Sequence, residues 1–270
     1  MMRKLILTVA PVSADAPKMD PVATARDVIR SVAEGASIVH LHVRDEKTRL
    51  TDDLTALKKT VGIISAESDA IIQVSTGGVS QMTIEQRCAP LYYDKVEMAS
   101  LNVGSVNLGE AVYQNPMRDV RYCAEQLVKQ GILPETEIFE IGMIHTLIEL
   151  SRTYRLRKPM LLNMILGVKG AAPATVETLI AMRSFIPKDA MWGFSHSGRL
   201  NFDMTMAAVF LGASFIRLGF EDSDMLDDKS VAGSNAEMVG KLADMIRTCG
   251  IQIATPKEAR EILGLKGRQT

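Results

Sequence analysis

Cysteine is scarce in this chain of 270 residues: Cys88, Cys123 and Cys249 are odd in number and share no CxxC spacing. That argues against a disulfide framework and a thiolate metal site, and it suits a reducing cytoplasm. An excess of either charge is also missing. Thirty-one basic residues face 32 acidic ones for a formal charge of -1, without a long run of one sign. Nothing therefore points to nucleic acid or an anionic membrane, and a small-molecule partner is expected. No segment approaches the roughly 20 apolar residues of a membrane span. The basic start at residues 1–4 ahead of the apolar stretch 5–12 imitates a secretory leader, with 12–14 as its cleavage site. That stretch is short and holds Pro11, so it reads as a first strand.

Apolar residues, at 47% of the chain, are ample for a packed core. Short β-rich runs at 5–10, 37–43, 70–75, 95–102, 137–141, 160–166, 190–194 and 215–220 make eight expected strands. Segments of helical period lie between them, at 23–34, 53–67, 117–130, 144–156, 174–185 and 201–211, with 235–249 closing the last unit. Such alternation implies parallel strands. With no Ser/Pro/Gly linker and no break in composition, it predicts a single (β/α)8 TIM barrel over residues 1–270. A two-domain α/β protein is the other arrangement of this length.

Histidine is rare, four in all, yet two occur as His40-Leu41-His42 inside a β-branched run. On a strand, residues i and i+2 share a face, so both imidazoles can converge on one cation. Two nitrogens and one carboxylate leave coordination positions free for water or substrate. The eighth strand offers the carboxylate: period two puts Arg217, Gly219 and Glu221 on one face, and Asp222 follows at the exit. Glu221 is the expected third ligand. Asp222 is the expected base, kept ionised by Arg217 or by the cation's field, provided the chain bends after Glu221. A buried arginine–acid pair closing the barrel is the plainer alternative.

If the barrel is right, chemistry belongs at strand exits. Those exits carry Asp15, Arg44, Ser75-Thr76-Gly77-Gly78, Ser100 and Asn102, then Glu137, Glu140, Asn163, Ser195-His196 and the 217–222 cluster.

The segments GASIVHLHVRD (35–45), STGG (75–78), MASLN (98–102), RLGFED (217–222), SNAE (234–237) and ATPKEAR (254–260) together resemble the β-keto acid cleavage enzyme family. The resemblance covers nearly the whole chain. It implies a zinc-dependent barrel that condenses a β-keto acid with acetyl-CoA as co-substrate, giving acetoacetate and a new CoA thioester with no covalent enzyme intermediate. It further implies His40, His42 and Glu221 as zinc ligands and Arg217 with Asp222 as the proton-abstracting pair. By the same resemblance Ser75, Thr76 and Ser100 cradle the substrate, and Glu137 is the acidic residue of the fifth strand. A cytoplasmic homo-oligomer, with a tetramer as one form, completes the expectation.

Departures from the family pattern concern specificity. Asp15 stands where the lysine-fermentation members have a glutamate, and the loop after it, 16–20, is short. Asp15 still permits a cationic tail on the substrate. The fifth strand reads EIFE at 137–140 where many relatives end in aspartate, and WGFSHSG at 192–198 is unlike the family. His145 reads as a surface or packing residue, while His196 could line the pocket, join the metal or bond a loop. Methionines such as Met160, Met164, Met182, Met204 and Met206 read as core filler. The helix opened by 167–175 could receive a phosphate or adenine-side group of CoA, without being a P-loop. Two other classes compete. A hydrolase of the amidohydrolase kind places its HxH on the first strand and needs further histidines. A non-catalytic brace would show a closed four-ligand site. The same ligand set also suits ferrous iron.

Overall fold

The computed structural model describes residues 4–266. The leader-like start at 1–3 and the last four positions of the expected single domain lie outside them. Eight parallel strands close on themselves: β1 (Lys4–Val9), β2 (Ile38–Leu41), β3 (Ile71–Val74), β4 (Met98–Asn102), β5 (Leu133–Ile138), β6 (Leu161–Leu166), β7 (Met191–His196) and β8 (Phe215–Leu218), with β8 pairing back onto β1. This is the expected (β/α)8 barrel. Helices α1 (Pro21–Glu34), α2 (Thr55–Glu67), α3 (Ile84–Arg87), α4 (Met117–Gln130), α5 (Ile141–Thr153), α6 (Val176–Ser184), α7 (Asp203–Phe210), α8 (Asn235–Thr248) and α9 (Pro256–Leu263) run between and after the strands. Two short hairpins, Val106–Leu108 with Ala111–Tyr113 and Met225–Asp227 with Ser230–Val231, rise from the β4 and β8 exits.

Period two sorts the barrel interior into layers. At the strand starts Ile6, Ile38, Ile71, Met98, Leu133, Leu161 and Phe215 form an apolar floor, sealed from below by Ala259 and Leu263 of α9. Each such side chain contributes about 1.5–3 kcal/mol by leaving water. Gly193 is glycine because the Phe215 ring occupies the centre; a Cβ there would lie 2.2 Å from it. Two residues further along each strand the interior turns polar, with His40, Gln73, Ser100, Glu135, Asn163 and Arg217 all buried. The outward residues pack against the helices as one continuous apolar shell. Arg260 fastens α9 beneath the floor through Glu97, at 2.7 and 2.9 Å.

The fifth strand lies four residues earlier than its predicted start at 137, at Leu133–Ile138. Its sequence LPETEI has one β-branched apolar residue, and polar side chains fill a buried strand that hydrophobicity alone does not reveal. Between β3 and β4 the chain has only α3 and the 3-10 turn Ala89–Tyr92, where the sequence predicts no helix.

Candidate metal centre and active site

The expected triad comes together. Ligand atoms of His40, His42 and Glu221 all lie within 4.8 Å of one another. Strands β2 and β8 flank β1, so the group sits above the C-terminal end of β1. His42 Nε2 lies 3.2 Å and His40 Nε2 4.0 Å from Glu221 Oε1. Burial holds His40 down at about 3, so its ring is neutral and carries a free lone pair. Its Nε2 is buried without a hydrogen-bond partner in the protein. Such an orphan costs free energy unless something binds it, and a cation would. Burial alone would raise the Glu221 carboxyl, but His42, Arg217 and His40 beside it hold it well below the usual range. The donor set therefore fits a divalent ion with open positions.

The required bend occurs at Gly219, before Glu221 rather than after it. Strand β8 stops at Leu218, Gly219 takes φ 143°, and both Asp222 N and Ser223 N donate to its carbonyl at 3.0 Å. That turn swings Asp222 back onto Arg217, whose Nε and Nη2 donate to its two carboxylate oxygens at 3.1 and 2.7 Å. Arg217 Nη1 donates to Glu137 Oε1 at 2.9 Å, and Nη2 to Glu221 Oε1 at 3.4 Å. One guanidinium thus faces three carboxylates, those of Asp222 and Glu137 buried and that of Glu221 partly so, leaving two negative charges over when all are ionised. That excess is a second feature suited to a divalent cation. Burial pushes Asp222 up against the opposing pull of Arg217, and it does the same to Glu137. Both carboxyls are therefore nearer than usual to proton exchange at neutral pH.

Asn235 explains why SNAE matters. Its side chain accepts from Phe220 N at 2.9 Å and donates to Pro11 O at 3.1 Å and Asp27 Oδ2 at 2.8 Å. The loop carrying Glu221 and Asp222 is thereby tied to the β1 exit and to α1.

A cavity of about 550 Å³ opens above the triad, lined among others by His42, Ser75, Glu137, Arg217, Glu221 and Asp222. The other expected residues are placed less directly. Thr76 Oγ1 donates to Ser100 O at 2.8 Å and Thr76 N to Ser100 Oγ at 3.0 Å, so this pair shapes the β3 exit while Ser75 faces the cavity. Gly77 must be glycine: a Cβ would lie 1.8 Å from the Tyr113 hydroxyl. Asp15 is exposed and lines a second cavity of about 1050 Å³ with Lys18 and Arg30. The two cavities meet at Ser197, Glu221 and Asp222. His196 packs against Phe194 and stands outside the triad, and His145 is exposed on α5. At the start of α6 the Thr175 side chain accepts from Thr178 N, so that terminus is capped by the chain itself.

Sequence reasoning missed Gln73, Glu135, Asn163's partnership with them, and Tyr113. Gln73 is the lone polar residue of a buried IIQV strand. A buried glutamine between isoleucine and valine was the available signal.

A closed parallel barrel with its polar cluster at the strand exits defines an enzyme of the (β/α)8 class. Residues 4–265 match the model of the beta-keto acid cleavage enzyme family. The chain belongs to that family. It is 36% identical to the 3-keto-5-aminohexanoate cleavage enzyme of Acetoanaerobium sticklandii, over 98% of this chain and 99% of that one. It is 30% identical to the 3,5-dioxohexanoate:acetyl-CoA acetone transferase of Paraburkholderia graminis, over 98% of this chain and 97% of that one. Among solved structures, apo ObcA superposes with a TM-score of 0.80 at 20% identity, covering 93% of this chain and 66% of that one, a likeness of fold.

Proposed function

We propose that this chain is one zinc-dependent catalytic domain that condenses a β-keto acid with acetyl-CoA, releasing acetoacetate and a new acyl-CoA. The observation that carries the reading is the meeting of His40, His42 and Glu221 beside an Arg217–Asp222 pair, in a chain of this family. Relatives named for β-keto acid cleavage and for acetyl-CoA transfer support the two substrates.

We assign His40, His42 and Glu221 to hold the ion, which when bound supplies a Lewis acid for the ketone oxygen. Asp222 takes the proton from the carbon between ketone and carboxylate, and its raised affinity for a proton suits that task. Arg217 orients Asp222 through two hydrogen bonds and stays charged among its acids. The carbanion attacks the thioester carbonyl and expels CoA thiolate, and the thiolate attacks the original ketone. The carbon–carbon bond then breaks, and Asp222 returns its proton to the departing acetoacetate. Ser75 lines the cavity and is assigned to the substrate carboxylate, with Thr76 and Ser100 holding it in place. Glu137 sets the far side of Arg217, and Asp15 in the outer cavity is assigned to the substrate tail.

Among the described residues no helix is long and apolar enough to cross a membrane. Cys88 and Cys123 are free and buried, which supports a cytoplasmic enzyme. Exposed Ile180, Phe185 and Phe210 on or beside α6 and α7 support a homo-oligomer, a tetramer being one form. Metal-loaded protein incubated with acetyl-CoA and a panel of β-keto acids should yield acetoacetate only when CoA thioester is present. Hydrolysis without CoA would instead favour the amidohydrolase kind of chemistry.

A further inference from the structure

We infer that Gln73 and Glu135 are positioning residues that fix the tautomer of His40, keeping the lone pair on the nitrogen that faces the metal centre. The inference rests on the ligand assignment above. His40 Nδ1 lies 2.7 Å from Gln73 Oε1, and Gln73 Nε2 donates to Glu135 Oε2 at 3.0 Å. Asn163 Nδ2 donates to Glu135 Oε1 at 2.8 Å, and Ser195 Oγ donates to Asn163 Oδ1 at 3.1 Å. These side chains, from β2, β3, β5, β6 and β7, form one row across the barrel, each at most 2% exposed.

Direction along the row is decisive. An amide can rotate by half a turn, exchanging donor and acceptor with no change of volume, so Gln73 alone could offer His40 either face. Glu135 removes the choice. A carboxylate only accepts, and each of its oxygens takes one amide N–H, from Gln73 on one side and Asn163 on the other. The Gln73 carbonyl must then face His40, which is met by a proton on Nδ1. The lone pair is thereby left on Nε2, the atom that is buried without a partner and lies on the Glu221 side. The opposite tautomer would aim an N–H at the cation. At the far end the row finishes on the Ser195 hydroxyl, which donates to the remaining amide oxygen. An ordinary second contact to a metal-bound imidazole is a carbonyl or carboxylate touching it directly. Here the carboxylate acts one amide away, through the orientation of that amide.

Glu135→Gln separates this role from simple space-filling, because the side chains differ by one atom group. The amide introduced at position 135 can give Gln73 an N–H, so Gln73 is free to turn. Cobalt(II) affinity of the purified full chain, measured in competition with a chromophoric chelator, should fall by about ten- to a hundredfold. The exchange variant Gln73→Glu with Glu135→Gln should recover it. Its carboxylate at position 73 would accept from His40 Nδ1 and from the new amide at position 135, whose carbonyl would accept from Asn163, and the row would again have one direction. Nitrogen-15 NMR of metal-free protein should show the Nδ1–H tautomer of His40 in the wild type and the exchange variant, and a mixture in Glu135→Gln. Wild-type cobalt affinity in Glu135→Gln would overturn the inference, as would an exchange variant no better than that single change. An Nε2–H tautomer in the wild type would overturn it too. A wild type that binds no cobalt yet shows the Nδ1–H tautomer would instead strike the ligand assignment, leaving the relay standing.

Discussion

Replacing Gly219 with alanine should damage the candidate centre without touching any side chain in it. At φ 143° the residue sits where L side chains are strained, and a Cβ would lie 2.2 Å from Ala10 O and 2.7 Å from its carbonyl carbon. Nothing flexible can move aside. Ala10 belongs to the exit of β1, its N–H donates to Leu218 O at 2.9 Å, and its own oxygen accepts from Glu221 N at 3.1 Å. The dihedral penalty is roughly 1–3 kcal/mol, and forcing backbone apart at a packed contact adds roughly another 1–3 kcal/mol. The sum is about 2–6 kcal/mol, unless the 219–223 turn shifts to relieve it. Relief of that kind withdraws Glu221 from the two imidazoles. The expected outcome is therefore a lower urea midpoint, a loss of metal affinity, or both, read by urea titration followed by circular dichroism and by chelator competition. A Gly219→Ala protein with the wild-type midpoint and wild-type metal affinity would refute the reasoning.

Four other variants carry expected outcomes. His42→Ala should lose bound metal and turnover together, whereas Asp222→Asn should keep its metal by elemental analysis and lose proton abstraction, read as failure to exchange deuterium into the keto acid. Asn235→Ala removes three hydrogen bonds at the base of the 219–223 turn. At about 1 kcal/mol each it should cost roughly 2–4 kcal/mol in urea unfolding, with metal affinity falling too. The hydrogen bond from Lys4 holds Glu258 at about 2, below its ordinary 4.5, so the folded state binds that proton less readily than the unfolded chain. Its stabilising effect is whole above 4.5 and fades as pH falls toward 2. The gap in melting temperature between wild type and Glu258→Gln should close over that interval, and a gap constant with pH would count against the pairing.

Most of the barrel was legible because its strands are apolar and its helices periodic. Residues 5–10 and 215–220 announced β1 and β8 almost to the residue, since β-branched and aromatic side chains line them. The HxH pair was legible for a different reason: imidazole is rare here, and a spacing of two fixes the face it occupies. β5 was misplaced where the chain puts proline, glutamate and threonine inside a buried strand. Local preference fails there because Glu135 and Glu137 are wanted for the interior, not for strand formation. The bend was expected after Glu221 and lies at Gly219, since only the approach of Ala10 in space shows why glycine stands there. Sequence places Asp15 at the exit of β1, and only the folded loop shows that it is exposed and lines the outer cavity.

His42 and Glu221 stand 179 positions apart, just past the ends of the staves that flank the first one. An ion gripped by them would act as a clasp across the barrel's seam, where the earliest-made strand meets the last. During synthesis the imidazoles emerge long before their carboxylate partner, so the chain has no complete binding place until the eighth stave has docked. Tight metal uptake would then report that the cylinder has closed, and truncation before residue 221 should leave a chain that cannot be rescued by supplying more ion.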